Sequence, residues 1–153
     1  MEQFGLIKAL QAECANRGWR FVSGDRWERN AQITKEGIDV GEIIMTAFVN
    51  SSTPRFVTSQ IDRITYTAEI MLGRKFDDPG DVSSLDETFI QKYERRLEEL
   101  SRLIASFLAS FSCEHGLTIQ NASFQYYLNQ FDENVDFCGG NVTFTDEEFK
   151  PVV

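Results

Sequence analysis

The sequence is short of several things that would narrow its chemistry. It holds three cysteines, three prolines and one histidine in 153 residues. Cys14, Cys113 and Cys138 are an odd set without metal-like spacing, which argues against a disulfide-stapled secreted scaffold and fits a reduced compartment. His115 has only Cys113 close by in sequence. Residues two apart on a helix point in different directions, so this pair is poorly placed as nucleophile and base. His115 reads instead as a cation at a helix C-terminus. No phosphate loop, GxGxxG or GxSxG is present. No apolar run approaches the ~18 residues of a membrane span. The opening "MEQFGLIKALQAECANRG" is amphipathic and charged, unlike a signal peptide. The Asn-x-Ser/Thr matches at Asn50, Asn121 and Asn141 are therefore read as chance, since glycosylation needs secretion. Basic residues are also scarce, 15 Lys and Arg against 24 Asp and Glu, for a net charge of −9. The only basic cluster is Arg95-Arg96. This argues against sequence-specific or general nucleic-acid binding and against an anionic membrane surface. It is compatible with an acidic lumen past which DNA slides.

The chain is rich in aromatics, with 13 Phe, and 42% of its residues are hydrophobic. Its length is that of one domain with a core of its own, so residues 1–153 are read as a single unit. Phe4, Ile7, Leu10 and Cys14 recur at helical spacing, and Gly18 is a stop. "WRFV" predicts a short strand, and 23–40 predicts mostly loop. "EIIMTAFVN", residues 42–50, reads as a strand, closed by the turn residues and proline of "SSTPRF". Residues 61–76 alternate, with Ile64, Tyr66, Ala68, Ile70 and Leu72 on one face, and form a hairpin with the preceding strand. Ser84 and Glu87 make a capping box that opens a helix to about Cys113. Its stripe is Phe89, Tyr93, Leu97, Leu100, Ile104, Phe107 and Phe111. The stretch 117–131 and the segment 141–146 read as the closing strands. The order α-β-β-β-α-β-β predicts an α+β fold, a mainly antiparallel sheet with the helices on one face.

Two acidic stretches invite a metal reading. In "FDENVDFCGGNVTF", Asp132, Asn134 and Asp136 alternate like the start of a calcium loop. An EF-hand requires glycine at position six and a bidentate glutamate at position twelve. Counted from Asp132, those positions hold Phe137 and Thr143, so the template fails. The expectation is a polar turn in which these side chains cap backbone N–H groups, with Gly139 and Gly140 supplying a positive φ or a bulge. Asp77, Asp78 and Asp81 surround the Pro79-Gly80 turn. A site shared with 132–136 would require the two loops to meet. No cofactor and no metal is expected, and no acidic pair is singled out for general acid–base work. Trp19, Trp27, Tyr126, Tyr127 and the phenylalanines read as core or subunit contact rather than a ligand pocket. Apolar residues on both faces of the strands point to sheet-mediated association.

The element order, with "RITYTAEIMLGRKF", the 84–113 helix and above all "YYLNQFDENVDFCGGNVTFT", resembles small phage and prophage tail-completion proteins of the tail-terminator type. The resemblance covers the chain by element order and is most specific in the last twenty or so residues. The 23–40 stretch and the Gly139-Gly140 pair have no counterpart in that pattern. The resemblance implies a non-enzymatic structural subunit in the host cytoplasm or the virion. Such a subunit assembles with itself as a ring, often hexameric, and meets other tail or neck proteins. The alternative from the residues themselves is a small cytoplasmic domain whose aromatic surface binds another protein or a ligand.

Overall fold

The first helix, α1 (Leu6–Arg17), forms where Leu6, Leu10 and Cys14 fall on one face, and all three are buried. It stops at Gly18, whose φ of 71° is left-handed. The Gly18 N–H donates to Ala15 and the Trp19 N–H to Cys14, a pair of bonds that satisfies the last carbonyls. The computed structural model describes residues 5–24, 37–75, 89–130 and 135–147. After α1 come β1 (Arg20–Ser23), β2 (Ile43–Val57), β3 (Gln60–Lys75), α2 (Phe89–Glu114), β4 (Leu117–Ala122), β5 (Gln125–Gln130) and β6 (Val135–Asp146). The proposed capping box at Ser84 and Glu87, the Asp77–Asp81 loop, and Asp132 and Asn134 lie outside the described residues.

The strands form one sheet in the order β1-β2-β3-β6-β4, with β5 also on β6. All pairings are antiparallel except β1 on β2. The α+β class and the helix-on-sheet arrangement therefore hold. The alternation of β3 places Ile64, Tyr66, Ala68, Ile70 and Leu72 in the main core. They meet Leu100, Ile104, Phe107 and Phe111 of α2, Leu10 and Cys14 of α1, and Val142 and Phe144 of β6. Trp19 stacks on Phe107 at 5.5 Å, and Phe111 meets Phe144 edge-on at 5.9 Å. The Arg17 guanidinium lies 5.2 Å from the Trp19 ring centre and 5.1 Å from that of Phe107, joining the end of α1 to α2. The opposite face carries a smaller cluster of Val22, Ile38, Ile44, Met71, Val135 and Phe137.

Three details differ from the expectation. "SSTPRF" is not a turn: β2 runs through it to Val57, and the turn is Thr58-Ser59. Pro54 is tolerated because β1 covers β2 only from Ile44 to Ala47, so among the described residues no strand lies on the outer side of Pro54. Second, the 117–130 segment is stepped into β4 and β5, which lie in line along β6. β4 pairs with its second half and β5 with its first. Third, β6 begins at Val135 rather than 141, so Asp136 is in a strand and not in a polar turn.

Candidate assembly site

The β2–β3 hairpin is longer than the sheet that supports it. β6 pairs with β3 only from Ile64 onward, whereas β2 and β3 stay paired out to Val57 and Gln60. The residues between form a two-stranded arm. A lone two-stranded ribbon is marginal in water, so an arm of this kind needs local reinforcement. Arg55 and Asp62 supply it as a bidentate ion pair, with Arg55 Nε donating to Asp62 Oδ1 at 2.9 Å. That hydrogen bond, with the guanidinium charge, holds the Asp62 carboxyl below the usual carboxylate range. Arg63 approaches Glu147 at 3.9 Å beside the base of the arm.

The tip is apolar and exposed. Phe56 keeps 62% and Val57 51% of their surface in water. The turn beyond them places Thr58 at φ 52° and Ser59 at φ 65°. Two positive φ values in a two-residue loop are the geometry that matches the twist of a hairpin, and Asn-Gly is its usual sequence. A β-branched residue in that region is strained. The arm went unread in the sequence because Pro54 and the serines suggested a corner. The signal that would have found it is the apolar Phe56-Val57 pair continuing the strand beyond Pro54.

The two edges of the sheet share a second property. The outer side of β2 from Phe48 to Val57 has no strand beside it among the described residues. On the far side, β4 and β5 form the other edge. No Asp, Glu, Lys or Arg occurs from Ile43 to Pro54 or from Leu117 to Gln130, although 25% of the chain is charged. Phe48 is exposed near the first edge, and Tyr126 and Tyr127 on the second. Tyr126 Oη lies 2.9 Å from Ser101 Oγ, which fixes its ring beside α2.

The residues singled out in the sequence take structural places. Asp136 is fully buried, 3.8 Å from Arg96 Nη1 of α2, which is itself 4% exposed. It is therefore a buried ion-pair partner rather than a solvated turn carboxylate. The reason is register: Asp136 sits opposite Arg74 on the helix-facing side of β6, and Arg74 is in turn bonded to Glu99 of α2. Gly139 has φ 151°, as expected of a positive-φ glycine, and a Cβ there would lie 2.1 Å from the Ile70 carbonyl oxygen. The β3–β6 register runs through both glycines without a bulge. Gly140 is the point where β4 hands over to β5, and a Cβ there would lie 2.2 Å from the Ser123 carbonyl oxygen. His115 follows the end of α2 with its ring 4.7 Å from that of Phe111, and Cys113 is exposed. Burial pushes the Cys14 thiol up to about 12, assisted by Glu13, and burial also raises Cys138. Among the described residues no three His, Cys, Asp or Glu side chains gather as metal ligands would. Also among these residues, no helix is long and apolar enough to cross a membrane. In comparisons with known proteins, no family model and no curated sequence gives a significant match.

Proposed function

We propose that this chain is a non-enzymatic structural subunit that assembles with itself, of the phage or prophage tail-completion kind that its element order resembles. The observation that carries this reading is the apolar tip of the projecting hairpin, Phe56 and Val57, held out on a clamped and strained turn. Backbone strain of this kind persists where surrounding structure or function maintains it. Exposed apolar residues on a rigid projection contribute little to the stability of their own subunit and suit insertion into a neighbour. A ring needs such unlike contacts, one patch on each copy meeting a different patch on the next. Other tail or neck proteins would meet the faces of that ring, in the host cell or in the virion.

Sedimentation velocity over a wide concentration range tests it. The expected result is a concentration-dependent oligomer. Phe56→Ser and Val57→Ser should weaken association by about 30-fold each, the effect of losing a contact worth ~2 kcal/mol, while leaving the melting temperature unchanged. A wild-type chain that remains monomeric throughout removes the reading.

A further inference from the structure

We propose that copies of this chain join by strand pairing. The outer edge of β2 over Phe48–Thr53 would add antiparallel to the outer edge of the β4–β5 line in a second copy. This rests on the self-assembly reading and names the surfaces that carry it.

The first argument is charge. Sheets that must stay single protect their edges with charged side chains, above all lysine. Here β2 from Phe48 to Pro54 and the whole of Leu117–Gln130 carry none, and Arg55 beyond Pro54 is tied to Asp62. Each copy carries a net charge of −9, so two copies repel over most of their surfaces. The β2 edge and the β4–β5 edge are stretches where two copies can approach without setting like charges together. A foreign basic partner would instead be expected to meet acidic side chains, which neither edge offers.

The second argument is direction. β2 is antiparallel to β3, β3 to β6, and β6 to both β4 and β5. The two edges of one molecule therefore run in opposite senses. A rotation about an axis along the strands brings the next copy's β2, with its direction unchanged, beside β4–β5. The new ladder is then antiparallel, the more stable arrangement per residue. The operation repeats, because among the described residues every copy keeps one edge of each kind without a strand beside it until the ring closes.

The third argument is length. β4 and β5 lie in line along β6, so together they offer a long edge, interrupted by the step at Ser123 and Phe124 and by register shifts at Ile119/Asn121 and Tyr127/Gln130, as β2 is at Val49/Ser51. Pro54 has no N–H to give, so it ends the pairing stretch of β2 after Thr53. The arm then extends past the ladder, placing Phe56 and Val57 against the adjoining surface of the neighbour. The exposed Phe48 on one edge and Tyr127 on the other lie on the face of the sheet opposite the helices, where they can flank the new ladder.

Two charged gatekeepers test this. Ser51 and Gln120 are exposed, one on each edge. The full-length Ser51→Lys and Gln120→Lys chains are each examined by sedimentation velocity, with circular dichroism and melting temperature matched to wild type. Thr53→Lys and Thr118→Lys replace either one that does not fold. Each variant alone is expected to be monomeric, its self-association at least 100-fold weaker than that of wild type. An equimolar mixture is expected to form a one-to-one dimer and stop there, since each chain retains the edge that the other has lost. If either folded variant assembles as wild type does, or if the mixture stays monomeric, edge pairing is overturned while self-assembly stands. If wild type itself is monomeric, both readings fall.

Discussion

At the scale of the residue, Arg96 and Asp136 show how burial changes the meaning of a side chain. The aspartate looks like a turn residue in the sequence because Asn134 and two glycines stand near it. In the fold it is fully buried beside a guanidinium. Removing one member of such a pair strands the other charge in a medium that cannot solvate it. Arg96→Met should therefore lower unfolding free energy by about 3–5 kcal/mol, and Arg96→Met with Asp136→Leu should recover most of that loss. Urea denaturation of the single and double variants measures both. Cys14 provides a second measurement. Its thiol is raised from the ordinary 9.0 to about 12. The unfolded chain therefore releases that proton first as pH rises. This contribution to stability is complete below pH 9 and is lost as pH climbs toward 12, with a slope of up to about 1.4 kcal/mol per pH unit. Denaturant midpoints of wild type and Cys14→Ala should converge over that range. The sequence reads Cys14 and Cys113 alike as buried, inert thiols on helices; the fold buries Cys14 but leaves Cys113 exposed. The sequence does not reveal the Arg96–Asp136 pair, because that contact joins a helix to a strand some forty positions on, and local patterning carries no information about register between elements.

At the scale of the element, periodicity was informative wherever one face is buried and the other is not. The β3 alternation and the α2 stripe are readable for that reason, and they account for about half of the main core. Patterning fails along the outer half of β2, where both faces are exposed and no burial imposes a period. There, turn-forming residue types suggested a corner at 51–56, whereas the chain turns at Thr58-Ser59. The actual turn is a place where the sequence opposes the backbone. Thr58 and Ser59 occupy a geometry that Asn-Gly adopts with little strain. Thr58→Asn with Ser59→Gly should raise stability by about 1–2 kcal/mol, the cost of left-handed backbone in ordinary residues. A rise in melting temperature without a change in assembly would place the strain in the hairpin alone. No change in melting temperature would show that the turn is already relaxed.

At the scale of the whole molecule, charge and topology act together. A subunit with a net charge of −9 associates against its own field, and that field is screened beyond about 10 Å at 0.1 M salt. Self-association should therefore strengthen as ionic strength rises from ~0.02 M to ~0.5 M, whereas contacts held by ion pairs would weaken. Light scattering across a salt series distinguishes the two. The fold class and the placement of helices on one face were legible in the sequence because they follow from element types and their order. Strand order was not, since β6 lies between β3 and β4 through β3–β6 pairings that join residues far apart in the chain, such as Ile64 and Asp146.

The two glycines of β6 acquire another role in this setting. Successive strand residues face opposite sides of a sheet, so Gly139 and Gly140 remove one side chain from each face at the same level. That level is also where the neighbouring strand steps from β5 to β4. Glycines inside a strand are where sheets acquire curvature. In a closed ring of mated edges, the bend within each copy, added to the angle at each joint, must total one full revolution. The number of copies in the ring would then depend on how sharply this side-chain-free point turns the sheet.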